Sequence, residues 1–438
     1  METIINIVDA ICGAGKTSWA IQRLNEVKNI GFGTDERTDK KYIYVTPYLD
    51  EVARLRNDTK ADFYEPDPQK GKGSKLKHLK MMVELGLNII TTHEIFKRLD
   101  EETLNHIEAE GYTLIMDEAA QVIESINDIS DEDIEYLLRF KSIEIGDLGK
   151  VKWIDEEYGK RENSRYRDIK IMADNGTLYI QNDQAFYWTM NVRAFEVFDE
   201  VYILTYLFDA QMQKYYYDMF DVKYKKHSVL NNQGRYELVK YNPLLERREE
   251  LYNLLAIYEG KLNYNFDHRE DDANSKELKK IRNNQLSGTW LEDRASEDEI
   301  KKLNKNLLNF FLNHCDVPVN RLYWTTLSRI APAFANKKCK YNRKGDRIKD
   351  NFLPFNARAT NTYADRTAMA FVYNRFMNPN DKKFFTSRGV EVNEDLLAVS
   401  DLIQFLFRGC IRNGERMNCY IPSYRMRELL RKWANYEI

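Results

Sequence analysis

The stretch "IINIVDAICGAGKTSWAIQRL", residues 4–24, constrains the fold more than any other part of the chain. Residues 4–8 are a short apolar run of the kind that forms a buried parallel strand. Two glycines follow, and then Trp19, Ala20, Leu24 and Val27 recur at helical spacing. A strand that feeds a glycine-bearing loop into a helix N-terminus is the geometry that holds phosphate, through exposed backbone N–H groups and the positive end of the helix dipole. Gly13 and Gly15 let the backbone curl without Cβ clashes. On this reading Ala10, Gly13, Ala14, Gly15, Lys16, Thr17 and Ser18 line a nucleotide. Lys16 reaches its β- and γ-phosphates, and Thr17 offers a hydroxyl to Mg²⁺. Such loops usually open with glycine, where this chain has Ala10. An ordinary glycine turn is the alternative, and the flanking strand and helix weigh against it.

A phosphate loop needs an acidic partner, and "YTLIMDEAA" at 112–120 supplies one. Its apolar run ends in two adjacent carboxylates. Asp117 is placed to hold Mg²⁺, and Glu118 to orient or deprotonate an attacking water. A solvated acidic pair at a strand end is the bland alternative. The two motifs together point to a nucleoside triphosphate with Mg²⁺ and to its hydrolysis.

Further strands are expected at 42–47 ("YIYVTP"), 87–94 ("LNIITTHE"), 200–208 ("EVYILTYLF") and 320–328 ("NRLYWTTLS"), alternating with helical patterns. That alternation argues for an α/β protein with parallel sheets. From 129 to 195 an acidic helix and short strands interrupt the pattern, with "DNG" at 174–176 read as a hairpin turn. From about 240 to 305 the chain is charged and mostly helical.

These segments resemble superfamily 2 helicases along nearly the whole chain. "AICGAGKT" has the AxxGxGKT form and "DEAA" is a DExx box. "VTPYLDEVARL" looks like motif Ia, "IITTHEIF" like the segment that often reads TTH, and "YILTYLF" falls at motif III. "QFLFRGCIR" resembles motif VI, and "FLPFNARATNTYADRTAMAFVYNRF" and "IPSYRMRELLRKW" are similar to late segments of compact bacteriophage helicases. The resemblance implies two RecA-like parallel-sheet domains in tandem with inserted accessory segments. Domain 1 is expected over 1–128, continued by 196–212, with an accessory insertion at 129–195. Domain 2 is expected over 213–438, with the charged insertion at about 240–305. The two lobes would close on Mg·ATP and drive movement on nucleic acid.

The resemblance also implies roles. Arg408 becomes the arginine that stabilises γ-phosphate charge, with Arg412 as its partner and Gln404 as the motif's glutamine. A guanidinium suits this because it is always charged and bonds two oxygens at once. Spaced four apart on an expected helix, the arginines would share one face, although the family spacing is three. Thr205 would couple the γ-phosphate to the nucleic-acid groove, as would Arg358 and Arg366 in a loose motif V that also holds Thr360 and Asp365. Thr91, Thr92 and His93 are candidates to touch nucleic acid, with a structural hydrogen bond the alternative for His93. Nothing ahead of the first strand reads as an adenine-selecting motif, so loose selectivity among NTPs is expected.

A net charge of −3 leaves no global basic field, so a nucleic-acid surface must be local. Two basic stretches offer one, at 69–80 and at 336–349, where Tyr341 could stack on a base. Either stretch could equally be a solvated loop. Tyr215–Tyr217 suit packing better than base contact. The expected partner is DNA ahead of RNA, single-stranded or forked, with the insertions open to a protein partner. The five cysteines (12, 315, 339, 410, 419) form no CxxC pair and read as reduced thiols. No apolar run approaches the about 20 residues that span a bilayer, so a cytoplasmic protein without membrane contact is expected, in the host cell if phage-borne. Two rivals stay open. A packaging terminase would end in a carboxylate cluster, where this chain has arginines. A nucleotide-dependent switch would use ATP for shape and the insertions for a protein partner.

Overall fold

The computed structural model describes residues 3–26, 40–47, 49–60, 62–158, 164–263, 284–315, 317–334, 351–355 and 362–438. The chain divides into two compact units. Unit 1 comprises 1–10, 15–241 and 378–392, and unit 2 comprises 11–14, 242–377 and 393–438.

In chain order the strands of unit 1 begin with β1 (Ile5–Asp9), β2 (Lys41–Thr46), β3 (Ile89–Thr92) and β4 (Tyr112–Asp117). β5 (Ile123–Ile126), β6 (Ile143–Ile145), β7 (Val151–Trp153), β8 (Leu178–Gln181) and β9 (Ala185–Thr189) belong to the inserted segment. β10 (Glu200–Thr205), β11 (Tyr224–Asn232) and β12 (Arg235–Lys240) follow. The main sheet has seven strands in the order β12-β11-β1-β10-β4-β2-β3. All pairings are parallel except that of β12, which returns antiparallel on β11. Ile7, Val8, Ile43, Tyr44, Val45, Leu114, Ile115, Met116, Ile203 and Leu204 are fully buried, as a sheet covered on both faces requires.

The sequence reading ends the first domain's sheet near residue 212, but β11 pairs along β1, from Ile5↔Tyr224 to Val8↔His227. Residues 224–240 therefore close the sheet of unit 1. Tyr215, Tyr216 and Tyr217 are core residues of that unit, at most 1% exposed.

The inserted segment has its own core: Ile134, Leu137, Ile143, Val151, Tyr166, Ile169, Leu178, Ile180 and Phe186 pack together. Its sheets are β5-β9-β8 and β6-β7, all antiparallel. "DNG" is not the hairpin turn. Asn175 caps the helix Arg167–Asp174, and Gly176 at φ +67° ends it in the left-handed conformation favoured past a helix C-terminus. The turn joining β8 to β9 is Asn182–Asp183, both at positive φ (51° and 56°), as a tight hairpin demands.

Unit 2 holds β13 (Leu255–Ile257), β14 (Leu322–Thr325), β15 (Ala368–Phe371) and β16 (Met417–Tyr420). They form an all-parallel sheet in the order β13-β16-β15-β14. β13 lies inside the stretch read as a helical insertion, so that stretch contributes an edge strand to the sheet. The tandem parallel-sheet architecture expected of two RecA-like domains with inserted segments is the one observed.

Candidate nucleotide site

The site sits at the carboxyl edge of the unit 1 sheet, where open α/β sheets bind ligands. β1 ends at Asp9, and the chain turns through residues 10–15 into helix α1 (Lys16–Asn25). Gly13 and Gly15 adopt φ +86° and +95°, a conformation that disfavours any side chain. Ala14 N–H donates to the Ile11 carbonyl (3.1 Å), and Trp19 N–H closes the first helical turn on Gly15 (2.8 Å). Lys16 Nζ donates to the Ala10 carbonyl at 2.6 Å, which folds its ammonium back over the loop. Thr17 is half-buried on the first turn of α1, and Ser18 is exposed beside it.

β10 separates the loop strand from β4. In register, Asp9 faces Thr205 and Leu204 faces Asp117, so the loop base, Thr205 and the acidic pair form one row. Ala10 N–H donates to Thr205 O (3.2 Å), and Glu118 N–H to Leu204 O (2.8 Å). Glu118 stands at φ +66°, an uncommon conformation for a side-chain-bearing residue and one concentrated at functional sites. Behind it, Ala120 N–H donates to Gln213 Oε1 (2.9 Å), and Gln213 Nε2 donates to the Tyr217 hydroxyl (2.7 Å).

Burial, followed by the neighbouring Glu118 charge, pushes the Asp117 carboxyl up to about 7, while Lys16 pulls it down. The fully buried Tyr44 hydroxyl lies beside it, without a hydrogen bond of good geometry. The buried hydroxyls of Thr46, Thr91 and Thr205, at the ends of β2, β3 and β10, also lack hydrogen-bond partners among the described residues. This donor set fits Mg²⁺, which takes one or two carboxylates plus phosphate oxygens and waters rather than an all-protein cage. Asp117 and Thr17 are the residues that would hold it.

Other expected site residues lie elsewhere. His93 Nε2 bonds to the backbone carbonyl of Asp117 at 2.8 Å, so it braces the acidic pair. Thr91 is 1% exposed, which removes its side chain from any surface groove; Thr92 is half-buried at the end of β3. Lys80 and Lys75, in the first basic stretch, pair with Glu102 and Glu65. The second basic stretch with Tyr341, and Arg358 with Thr360, lie outside the described residues.

In unit 2 the helix Glu394–Leu406 carries Gln404, whose Nε2 donates to Ser400 Oγ (3.2 Å). That helix stops before Arg408. Arg412 lies on a separate 3₁₀ turn, Cys410–Asn413, so the two arginines do not share a helix face. Gly409 breaks the helix, and a Cβ there would fall 2.8 Å from both Met417 Sδ and the Tyr323 hydroxyl. That hydroxyl reaches the Phe405 and Leu406 carbonyls (3.1 and 3.2 Å) and caps the helix end. Arg408 is held between the cap and the glycine. It is half-buried, its Nε is buried without an acceptor, and its guanidinium makes no hydrogen bond or ion pair with a described residue. Arg366 differs. It is 7% exposed, and its guanidinium donates to the Leu322 carbonyl (3.0 Å) and Asn351 Oδ1 (2.9 Å), which commits it to packing within unit 2.

Sequence reasoning passed over Asp9, Tyr44 and Gln213. Asp9 is 1% exposed, and its Oδ2 accepts from Phe208 N–H (3.0 Å), tying the loop base to the chain after β10. Its signal was a carboxylate at the end of an apolar strand directly before the glycine loop. Tyr44 and Gln213 carry no local signal.

A family model described as the YonV C-terminal Rossmann-like domain matches residues 249–434, and one described as the YonV middle domain matches 123–188. Among solved structures, an apo XPD chain has 12% identity and a TM-score of 0.49, covering 99% of this chain and 95% of that one. An XPD helicase chain has 13% identity and a TM-score of 0.47, covering 98% and 94%. The DUF1998 helicase MrfA bound to DNA has 10% identity and a TM-score of 0.38, covering 99% of this chain and 46% of that one. The SPbeta prophage-derived uncharacterized protein YonV of Bacillus subtilis (strain 168) is 33% identical over 438 residues, 98% of each chain. The chain therefore belongs to the YonV family.

Proposed function

We propose that this protein is an ATP-dependent helicase or translocase of the superfamily 2 type, acting on nucleic acid, with DNA ahead of RNA. One observation carries the reading. A strand-end loop with two glycines at positive φ opens helix α1 at Lys16, and across the intervening β10 Asp117 ends β4, with Glu118 directly after it, in the same row. Loop, lysine and acidic pair are the parts that bind a nucleoside triphosphate and cleave it.

In this account the loop amides and Lys16 take the β- and γ-phosphates, and Lys16 exchanges its bond to the Ala10 carbonyl for a phosphate oxygen. Mg²⁺ on Asp117 and Thr17 would neutralise charge on the phosphates. Glu118 receives a proton from the attacking water, its aim set by the left-handed backbone. Arg408 supplies a guanidinium to the charge growing on the γ-phosphate. Thr205, whose backbone touches the loop and whose hydroxyl has no hydrogen-bond partner among the described residues, is the residue that responds to the γ-phosphate. The inserted segment at 129–195 and the residues near 240–305 serve substrate or partner recognition.

The reading is tested by equilibrium binding of a slowly hydrolysed, fluorescent ATP analogue. Magnesium-dependent binding to the wild type that is lost in Lys16→Ala and weakened in Asp117→Asn supports it. Binding that ignores both substitutions rejects the site.

A further inference from the structure

The hairpin β11–β12 does more than close the sheet. β11 stops pairing with β1 at His227, but runs on to Asn232 and is paired there with β12 from Arg235. At the usual rise per residue the tip stands about 13 Å beyond the end of β1, alongside the glycine loop. The tip turns on Gln233 and Gly234, at φ 53° and 91°, and Asn231 Oδ1 accepts from Gly234 N–H at 2.8 Å.

Tyr236 is fixed on this hairpin by a two-point clasp from α1. Its N–H donates to Gln22 Oε1 (2.9 Å), and its carbonyl accepts from Gln22 Nε2 (3.1 Å). The ring lies against the loop: a Cβ built on Gly15 would fall 2.1 Å from Tyr236 Cε1. The ring is half-buried, and its hydroxyl makes no hydrogen bond with a described residue. A flat aromatic surface therefore stands at the N-terminus of α1, on the side of β1 away from β4.

Direction matters here. Asp117 and Glu118 mark the γ-phosphate end, on the β4 side of β1. A triphosphate laid across the loop from there points its nucleoside toward β11. The Thr205 hydroxyl, 1% exposed in the row between loop and acidic pair and without a hydrogen-bond partner among the described residues, marks the phosphate end of this edge as open to a ligand. We infer that Tyr236 is the platform on which the nucleobase of the bound triphosphate stacks, and that it reads the base by its face rather than by its edge. The inference rests on the phosphate-loop reading. Because every base has a π-face, such a platform accepts purine and pyrimidine triphosphates alike.

The test compares two ligands, Mg·ATP and base-free Mg·tripolyphosphate, by calorimetry on the full chain and on Tyr236→Ala, Tyr236→Leu and Tyr236→Phe. Loss of stacking predicts about five- to 100-fold weaker ATP binding in the Ala and Leu variants, with tripolyphosphate unchanged and Phe near wild type. GTP, CTP and UTP should bind the wild type with affinities close to that of ATP. Equal loss of both ligands in Tyr236→Ala, restored by Leu, would make Tyr236 a mere prop for Gly15 and overturn the inference. So would ATP binding untouched by all three changes. If the wild type holds tripolyphosphate no better than Lys16→Ala does, the phosphate loop itself fails, and the inference falls with it.

Discussion

Arg408→Met separates a residue kept for chemistry from one kept for stability. Arg408 is half-buried, its Nε is enclosed without an acceptor, and its guanidinium has no hydrogen-bonding or ionic partner among the described residues. A buried N–H left unsatisfied costs about 1–3 kcal/mol. Methionine fills a similar length of apolar space and carries no such donor, so the substitution should leave the ligand-free protein unchanged or stabilised by about 1 kcal/mol. For hydrolysis the reverse holds. A guanidinium on a transferring phosphoryl group accelerates it by about 10³–10⁵, which is about 4–7 kcal/mol of barrier. Arg408→Lys keeps the charge without the two-pronged donor and should fall between. The assay is kcat for ATP beside the urea midpoint for the same preparations. Lowered stability with kcat unchanged would refute the reasoning and make Arg408 a packing residue.

Asp117 gives a pH dependence. Its folded value, about 7, lies above the ordinary 3.8. Its contribution to stability is therefore fully present below about pH 4 and is lost as pH rises through about 7. The ligand-free wild type should lose stability relative to Asp117→Asn across that window, by a few kcal/mol at most, read from paired urea titrations. Arg388 is the second structural test. It donates to the carbonyls of Leu148 (2.7 Å), Ile180 (2.8 Å) and Phe384 (2.7 Å) and to Gln181 Oε1 (2.6 Å), and lies 3.9 Å from the Phe384 ring centroid. Arg388→Ala should cost about 2–4 kcal/mol. Hydrogen exchange should speed up around 146–150 and 178–187, and unchanged exchange there would show that the segment 378–392 docks without it.

Legibility in the sequence followed burial for most strands, although the buried β15 and β16 were not read. β1, β2, β3, β4, β10 and β14 are short apolar runs, because a parallel strand covered on both faces needs apolar residues throughout. β11, β12 and β13 were missed for the opposite reason. They lie toward sheet edges, their residues are half-exposed, and "KKHSVLNNQGRYELVK" mixes charge with apolar residues without a clear period. The glycine loop and acidic pair could be read because their chemistry is local. Two supports of that pair, Tyr44 and Gln213, meet it only through tertiary folding, so no spacing announces them, whereas His93 was singled out in the sequence and makes the structural hydrogen bond given as its alternative. The shared helix face for Arg408 and Arg412 failed on one residue. Gly409 follows Arg408 directly, and glycine at that point ends a helix more often than it continues one.

Steady-state ATP hydrolysis, with and without single-stranded DNA, duplex DNA and RNA, tests the central claim most directly. The account predicts turnover that one nucleic acid stimulates, abolished in Lys16→Ala and in Arg408→Met. Hydrolysis indifferent to every nucleic acid would contradict it and favour a nucleotide-dependent switch. Hydrolysis that survives Lys16→Ala would contradict the site itself.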